Sequence, residues 1–274
     1  MNLDFGGRIR VEKGGEEEVY KCPKCRRPKF YVNLRKEKAH CFWCSYKIRL
    51  PRMLKRAIRA ILPQPGEDLP KPLTEADMPG LIKPLQTKED LFFLNSRGVS
   101  WNWAAENGWR KGATGRWAGR LVIPIKEGGR TYSWVARAMD DSKPKELHGP
   151  NTSKFLYGLD QYGLGQYPAS FCFHKDWILV EGIFDQIKIA SFFKHSLALM
   201  GSSMSDIQIG KLLKLLPSKV ILMMDGDEAG RKATETIAVK LGKRMNPLDI
   251  QKVYLPEGWD PDNLTKSQME ELLK

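Results

Sequence analysis

The sequence lacks any apolar run that is long enough to cross a bilayer. Stretches such as Trp177 to Val180 and Val220 to Met224 are far shorter than the roughly 20 residues that a membrane-spanning helix requires. The first residues also lack the apolar core and the small-residue cleavage site of a secretory signal. We therefore expect a protein with no membrane anchor that stays in the cytoplasm.

Cysteine is scarce as well, with five among 274 residues. Cytosolic thiols are normally reduced, so paired cysteines here indicate a metal before a disulfide. Two Cys-x-x-Cys pairs are separated by fifteen residues, and they comprise Cys22, Cys25, Cys41 and Cys44. This spacing is typical of four thiolates around one structural Zn²⁺ ion. His40 could in principle replace a thiolate, but four cysteines already complete a tetrahedral shell, and Cys172 stands alone in an apolar, strand-like run.

The residues between the two cysteine pairs predict a zinc ribbon. The run from Lys29 to Leu34 alternates apolar and polar residues like a strand. Two interpretations of this module stay open. Zinc could simply hold together a segment that is too small to have its own core. Alternatively, Tyr31, Phe42 and Trp43, with nearby lysines and arginines, form a stacking surface for single-stranded nucleic acid.

The charge balance points to a polyanionic partner. The chain has 45 Lys and Arg against 32 Asp and Glu, a formal net charge of +13, and nucleic acid is the commonest partner of such proteins. A basic helix is predicted over residues 47–59, with Ile48, Leu54, Ile58 and Ile61 on one face. Six prolines between Leu62 and Leu85 exclude a long helix or a central strand. We expect a zinc-binding domain at 1–61 and a proline-rich linker at 62–87.

The middle of the chain predicts helices followed by a mixed sheet. Strand patterns occur at Leu121 to Ile125 and at Tyr132 to Ala136, and Gly128 and Gly129 form a turn between them. The block is rich in cations that either lie on the surface or line a phosphate-binding cleft: Arg116, Arg120, Arg130, Arg137, Lys143, Lys145 and Lys154.

The last third of the chain predicts a parallel sheet with carboxylates at its strand ends. Strands alternate with helices here, which favours right-handed parallel α/β topology, and such sheets bind ligands at the carboxyl ends of their strands. Acidic residues follow three predicted strands, 176–180, 220–224 and 253–255, and they are Glu181, Asp185, Asp225, Asp227, Asp260 and Asp262. Glu181 from one strand end and Asp225 and Asp227 from another could converge to bind one or two Mg²⁺ ions for phosphoryl transfer.

Two simpler explanations apply to parts of this pattern. Asp227 precedes a helix that begins near Glu228, so helix capping alone would explain that residue. The glycines at 226 and 230, followed by Arg231 and Lys232, superficially suggest a P-loop. The required spacing is absent, so ATP binding of that type is excluded.

These motifs resemble the Toprim domain, which is shared by DnaG-type primases, topoisomerases, some nucleases and RecR-type recombination proteins. The resemblance rests on Glu181-Gly182 with Asp185, and on Asp225-Gly226-Asp227 with Gly230 and Arg231. Further stretches match DnaG-type primases in order: 94–99 (LNSRGV), 119–125 (GRLVIPI), 144–145, 156–159 (LYGL) and 258–262. The Cys-Phe-Trp-Cys ribbon is similar to that of bacteriophage primases, here without a fused helicase.

The resemblance implies a fold, a reaction and a set of roles. It implies a zinc ribbon, a mixed α+β basic subdomain at 88–170 and a Toprim α/β parallel-sheet domain at 171–274. The six carboxylates would hold one to three Mg²⁺ or Mn²⁺ ions, with Glu181, Asp225 and Asp227 catalytic, and Glu181 acting as general base or as metal ligand. Arg120, Arg137, Lys145 and, as a weaker match, Lys154 would contact template or nucleotide.

The implied activity is the synthesis of short RNA primers on single-stranded DNA from ribonucleoside triphosphates. The zinc module would help to select the initiation sequence on the template. A replicative helicase would then be a separate protein, or the chain is a fragment; a phage-encoded protein would work in the host cytoplasm. A Toprim nuclease and a non-catalytic RecR-like DNA-binding mediator are the alternatives.

Overall fold

Three sheets organise the part of the chain that the computed structural model describes. The described residues are 8–12, 17–22, 24–33, 38–49, 70–74, 77, 82–162, 175–193, 195–215, 217–244 and 249–273. The three sheets follow one another along the chain. None of the helices in these ranges combines the length and apolarity needed to span a membrane.

The first sheet is an antiparallel meander. Its strands pair in chain order, and they are β1 (Arg8–Glu12), β2 (Glu17–Tyr20), β3 (Phe30–Asn33), β4 (Lys38–Cys41) and β5 (Lys47–Arg49). A small core of Phe30, Val32 and Ala39 packs beside the cysteines. The hairpin of β3 and β4 confirms the predicted ribbon.

The predicted basic helix is wrong at its start. Residues 47–49 form β5, which pairs with β4 through Ile48 opposite Ala39, because an extended segment can complete the small sheet at this edge. The rest of that prediction, including Leu54, Ile58 and Ile61, lies outside the described residues.

The middle of the chain has two helices and an antiparallel sheet. The helices are α1 (Lys88–Ser96) and α2 (Trp101–Glu106), and the strands are β6 (Ile82–Lys83), β7 (Arg110–Gly112), β8 (Leu121–Glu127), β9 (Arg130–Arg137) and β10 (Glu146–His148). The strand order is β10-β9-β8-β7-β6. The predicted hairpin is confirmed as β8 and β9. The prediction of mixed pairing is wrong for these strands, whose pairs are all antiparallel, because the short β8–β9 turn permits only a hairpin.

Part of the predicted linker is attached to this sheet. The Leu73 backbone N–H donates to the Thr131 carbonyl at 2.7 Å, and the Leu73 side chain packs near Trp134. At the start of α1, the fully buried Asp90 accepts backbone N–H groups of Gln86 and Thr87 and pairs with Lys111 at 2.5 Å. The end of the linker is therefore tied into the fold.

The third sheet is wholly parallel, as predicted. Its strands are β11 (Asp176–Val180), β12 (Ser196–Ala198), β13 (Lys219–Met223) and β14 (Asp249–Val253), in the order β12-β11-β13-β14. The helices are α3 (Ile183–Phe192), α4 (Asp206–Lys214), α5 (Glu228–Arg244) and α6 (Lys266–Leu272). The last strand runs from Asp249 to Val253, so the strand predicted at 253–255 overlaps it only at Val253.

Both faces of the parallel sheet are buried, and one face is shared with the middle block. Ile178 and Val180 pack in a core that also contains Trp109 and Phe155, whereas Leu179 faces a second core. The alternation follows from the two-residue period of a strand. Tyr157 and Ala198 also exchange two backbone hydrogen bonds of 3.0 Å. The middle block and the parallel sheet are thus packed as one unit around the crevice described below.

Candidate active site and metal centres

The four predicted cysteines meet at one point of the ribbon. Their sulfur atoms all lie within 4.8 Å of one another, with Cys22 and Cys44 at 3.6 Å and Cys25 and Cys41 at 3.7 Å. Four sulfurs placed about 2.3 Å from a central Zn²⁺ would be roughly 3.8 Å apart. The thiolates therefore have the spacing that a tetrahedral zinc ion requires.

The local backbone favours a thiolate at Cys41, whereas burial raises the pKa of Cys44 to about 12. Burial acts to raise the pKa of Cys41, but backbone N–H groups of Cys44 and Trp43 outweigh it and lower this pKa to about 7. His40 points away from this group, because residues alternate along β4, and its ring lies 4.7 Å from the ring of Phe42. The group that could hold a metal ion thus consists of the four cysteines without the histidine.

The ribbon carries exposed aromatic rings on its outer side. Phe42 and Trp43 are 68% and 60% exposed. The Tyr31 ring meets Phe42 edge-on at 4.8 Å, and the Arg27 guanidinium lies 3.7 Å from the centre of the Trp43 ring. Large exposed rings beside a cation can stack on nucleobases.

Three acidic segments lie around the carboxyl ends of the parallel strands. The chain leaves β11 toward β12 on one side of the sheet and leaves β13 toward β14 on the other side. These two connections diverge and leave a crevice at the ends of β11 and β13, where such sheets bind ligands. Glu181 follows β11 directly, and Asp225 and Asp227 follow β13. The segment after β14 brings Asp260 and Asp262 to the same place, as its hydrogen bonds show.

Backbone contacts fix the segment after β14 against the other two. The Gly226 N–H donates to the Trp259 carbonyl at 2.7 Å. A side chain at Gly226 would place its Cβ 2.0 Å from the Pro256 carbonyl oxygen, so only glycine permits this approach. The Asp262 N–H donates to Asp185 Oδ1 at 3.2 Å.

Asp185 holds the crevice together through both carboxylate oxygens. It is 8% exposed, and besides Asp262 it accepts the Gly182 N–H at 3.0 Å on Oδ2. A Cβ at Gly182 would lie 2.6 Å from that oxygen. Asp185 therefore links the start of α3 to the segment after β14, and both of its oxygens are already engaged with backbone donors.

Asp225 and Asp227 differ in their environments. Asp225 Oδ1 is buried and has no hydrogen-bond partner among the described residues, which is the state expected of an acceptor that awaits a cation. Asp227 Oδ1 accepts the Gly230 N–H at 2.7 Å and so caps α5, as the simpler explanation predicted. A Cβ at Gly230 would lie 2.1 Å from the Asp225 carbonyl oxygen, so this helix start packs directly on the acidic turn.

The carboxylates repel one another. Burial, and then the charges of Asp225 and Asp227, raise the pKa of Glu181 to about 7. Burial, and then Asp225 and Asp262, raise the pKa of Asp185 to about 7. Burial, and then Asp260 and Asp227, raise the pKa of Asp225 to about 6, and the pKa of Asp260 is raised mainly by burial and Asp262. Such mutual repulsion is relieved by a divalent cation.

The oxygen donors suit Mg²⁺ or Mn²⁺, and they are spread more widely than the thiolates. Among the described residues, only the four cysteines form a group of three or more ligand atoms within 4.8 Å of one another. Mg²⁺ usually takes one or two carboxylates and keeps its remaining positions for water and substrate phosphates. The buried, unpartnered oxygen of Asp225 and the neighbouring carboxylates fit such an ion.

The predicted basic residues occupy different positions around the crevice. Arg120 is buried and donates to the carbonyls of Pro144 and Lys145 at 2.8 and 3.4 Å. Lys145 is exposed, and its positive charge offsets part of the rise in the pKa values of Asp225 and Asp260. Arg137 pairs with Glu146 at 3.0 Å. Lys154 lies in a 3₁₀ turn, Thr152–Lys154, that packs against β9 and α4.

Sequence reasoning missed two charged residues of the site. Arg97 donates to Asp262 Oδ2 at 2.8 Å, and its place in the LNSRGV stretch was the available signal. Glu146 adds to the charge that raises the pKa of Glu181, and it neutralises Arg137. Nothing in the sequence around Glu146 marks it, since its position follows from the pairing of β10 with β9.

The chain is similar in sequence and fold to known proteins. Residues 178–265 match the Toprim-like family. A DNA primase of Pseudomonas aeruginosa is 33% identical over 167 residues, which are 58% of this chain and 24% of that protein. The chain thus spans about a quarter of the length of this relative.

Two solved structures share the fold. The zinc-binding and RNA polymerase domains of the Aquifex aeolicus primase match with a TM-score of 0.55 at 22% identity, over 97% of this chain and 80% of that one. A DnaG primase catalytic domain bound to single-stranded DNA matches with a TM-score of 0.56 at 23% identity, over 69% of this chain and 73% of that one. At these identities the structures establish the fold alone.

Proposed function

We propose that this protein is a DNA primase. The chain contains a Toprim-like domain and is homologous to bacterial DNA primases over more than half of its length. The reaction is metal-dependent synthesis of short RNA primers on a single-stranded DNA template. The observation that carries the proposal is the meeting of three acidic segments at the crevice between the ends of β11 and β13, where Asp225 presents a buried oxygen with no partner among the described residues.

Six carboxylates are proposed as the metal site, with unequal shares. Glu181, Asp225 and Asp227 are the catalytic ligands, because they lie within four residues of the ends of the two strands that flank the crevice. Asp260 and Asp262 complete the site from the segment after β14. Asp185 acts mainly by positioning, since both of its oxygens accept backbone N–H groups.

The bond change is a nucleotidyl transfer. The 3′-hydroxyl of one nucleotide loses its proton to the Glu181 carboxylate or to solvent and attacks the α-phosphorus of a ribonucleoside triphosphate. A phosphodiester bond forms, and pyrophosphate leaves with the electrons of the broken P–O bond. One to three Mg²⁺ or Mn²⁺ ions, when bound, would neutralise charge on the attacking and leaving oxygens. Glu181, Asp225 and Asp227 provide the fixed negative charge, and the packed strands keep them in place.

The basic residues supply the substrate side. Lys145 is exposed beside Asp225 and Asp260, so we assign it to the phosphates of the nucleotide or template. Arg120 supports it by holding the carbonyl groups of Pro144 and Lys145. Arg137 and Lys154 are assigned to the template side, and Arg137 would exchange its pairing with Glu146 for a phosphate.

The zinc ribbon is proposed as a template-binding module that holds one Zn²⁺ ion. The exposed rings of Phe42 and Trp43, with Arg27 stacked on Trp43, favour this role over a purely structural one. The single-stranded DNA in the related catalytic domain supports a DNA template here. We also propose cytoplasmic action, a separate replicative helicase and, from the Cys-Phe-Trp-Cys ribbon, a bacteriophage-type enzyme.

Primer synthesis is tested with purified protein, single-stranded DNA of varied sequence, labelled ribonucleotides and Mg²⁺. We expect short labelled RNA. Asp225→Asn keeps the shape of the side chain and removes its charge, so it should abolish synthesis while DNA binding persists. Asp176→Asn is the matched control, because Asp176 is exposed at the opposite end of the strand that precedes Glu181.

The same reactions distinguish the alternatives. If the unmodified chain cleaves the DNA and Asp225→Asn does not, the protein is a Toprim nuclease instead. DNA binding with neither product on any template would identify a RecR-like mediator. Either result would overturn the primase proposal.

A further inference from the structure

A groove on the exposed side of α1 lies outside the acidic crevice but close to it. It has a volume of about 350 Å³ and is lined by Lys88, Glu89, Phe92, Phe93, Ser96 and Met139. The Phe92 ring is 76% exposed, the largest exposed fraction among the exposed large hydrophobic side chains of the described residues. Lys88, Phe92 and Ser96 follow one another at four-residue spacing, so they lie along one face of the helix.

The groove is joined to the acidic crevice by a row of rings and guanidinium groups. The Phe93 ring meets Phe184 edge-on at 5.9 Å, and Phe184 directly precedes Asp185. The Arg97 guanidinium lies 5.9 Å from the Phe93 ring and 5.5 Å from the Phe184 ring, and it pairs with Asp262. On the other wall, Met139 comes two residues after Arg137, so the groove continues the surface to which we assigned the template.

We propose that this groove is a stacking site in which Phe92 supports one base of the single-stranded nucleic acid that enters the crevice. The inference rests on the proposed function, since it assumes a nucleic-acid strand at the crevice. Aromatic side chains stack on any base through its flat face. Phe92 would supply that face, and Met139 and Phe93 would form the apolar wall.

The charges at the rim decide how the strand is held. Lys88 is positive and Glu89 negative, and both are exposed, so the two nearly cancel. Binding to the groove then comes from stacking. Arg97 and Arg137 lie closer to the acidic crevice, where they already pair with Asp262 and Glu146, respectively. Stacking differs from phosphate contact in one measurable respect: it leaves the salt dependence of binding unchanged.

The experiment measures the affinity of the whole chain for a fluorescent oligothymidylate of about 20 nucleotides, a length that exceeds typical single-strand site sizes, over a series of salt concentrations. Phe92→Ala should weaken binding about five- to 150-fold, the usual effect of removing one stacked base partner. The loss should be the same at every salt concentration. Phe92→Trp should restore binding.

Leu91→Ala is the matched control, because Leu91 is also apolar and exposed on α1 but does not line the groove. It should bind as the unmodified chain does. Equal melting temperatures of the variants confirm that they are folded, as expected for an exposed ring.

Three outcomes would overturn the proposal. In the first, Phe92→Ala binds the oligonucleotide as tightly as the unmodified chain. In the second, the loss of affinity in Phe92→Ala disappears at high salt. In the third, sedimentation reveals a dimer that only Phe92→Ala dissociates, which would make the groove an interface between two copies. If the unmodified chain makes primers while Phe92→Ala binds DNA normally, the groove fails and the primase function stands. If the unmodified chain neither binds DNA nor makes primers, both the proposed function and the proposed stacking site are refuted.

Discussion

Without a divalent cation, the carboxylates of the crevice should make the stability of the protein fall as pH rises. The pKa of Asp185 is raised from an ordinary 3.8 to about 7 in the folded chain by burial and by Asp225 and Asp262. Between these two values, unfolding releases a proton that the folded state retains, so rising pH favours the unfolded chain. This contribution to stability is fully present below the unfolded pKa and is lost by about pH 7.

The magnitude follows from the size of the shift. Each pKa unit corresponds to about 1.4 kcal/mol, so Asp185 alone should lower the free energy of unfolding by about 3 kcal/mol between about pH 5 and pH 7. The raised pKa values of Glu181 and Asp225 act in the same direction, but they are not added, because each contains part of the same mutual repulsion. For a chain of this size, about 3 kcal/mol corresponds to roughly 5 to 10 °C in melting temperature.

The measurement is thermal unfolding across this pH range, in Mg²⁺ and in Na⁺ of equal ionic strength. Mg²⁺ is removed by dialysis, because a chelator would also remove zinc. We expect the melting temperature to fall with pH in Na⁺ and to fall less in Mg²⁺, since the ion stabilises the folded state. Asp185→Asn, which cannot ionise, should show a smaller fall in Na⁺ at the expense of one hydrogen bond. A stability that is flat or rises with pH in Na⁺, or an unchanged slope in Asp185→Asn, would refute this reasoning.

Three other predictions follow from single contacts. Gly226→Ala should destabilise the fold by about 1 to 3 kcal/mol or more and abolish primer synthesis, because its Cβ would lie 2.0 Å from the Pro256 carbonyl oxygen; thermal unfolding and the primer assay measure both effects. Asp90→Ala should cost about 3 to 5 kcal/mol in chemical denaturation, since it leaves Lys111 without its buried partner, whereas Asp141→Ala on the surface should cost little. Removal of zinc with a chelator, or Cys44→Ser, should unfold the ribbon but leave the parallel sheet protected in hydrogen exchange, because the ribbon has only a small core of its own.

The parallel sheet and its acidic ends could be predicted because their signals are local. The apolar runs before Glu181 and Asp225 have the length of buried strands, and each ends directly in a carboxylate. Once strands and helices alternate, the topology of such sheets is nearly fixed. The cysteine spacing was equally informative, since it constrains four ligands to one small hairpin module.

Contacts between distant segments could not be predicted in this way. Arg97 and Asp262 are 165 positions apart, and Asp185 and Asp262 are 77 apart, so no periodicity relates them. The role of Asp185 as a link between backbone segments became visible only with its two N–H donors. The prediction of a helix at Lys47–Arg49 was wrong for a different reason. These residues suit a helix, but pairing with β4 overrides that preference.

The carboxylates are held together by contacts that do not depend on a cation. The Gly226 N–H donates to the Trp259 carbonyl, and Asp185 accepts the Asp262 N–H, so the backbone brings like charges together. Burial and then this repulsion raise the pKa values of the carboxylates. A divalent ion that binds there relieves this repulsion without having to reorganise the chain. Preorganised charge of this kind is the main means by which enzymes stabilise phosphoryl transfer. In the proposed reaction we therefore expect Gly226 and Asp185 to act as positioning residues, neither of which touches the reacting phosphate.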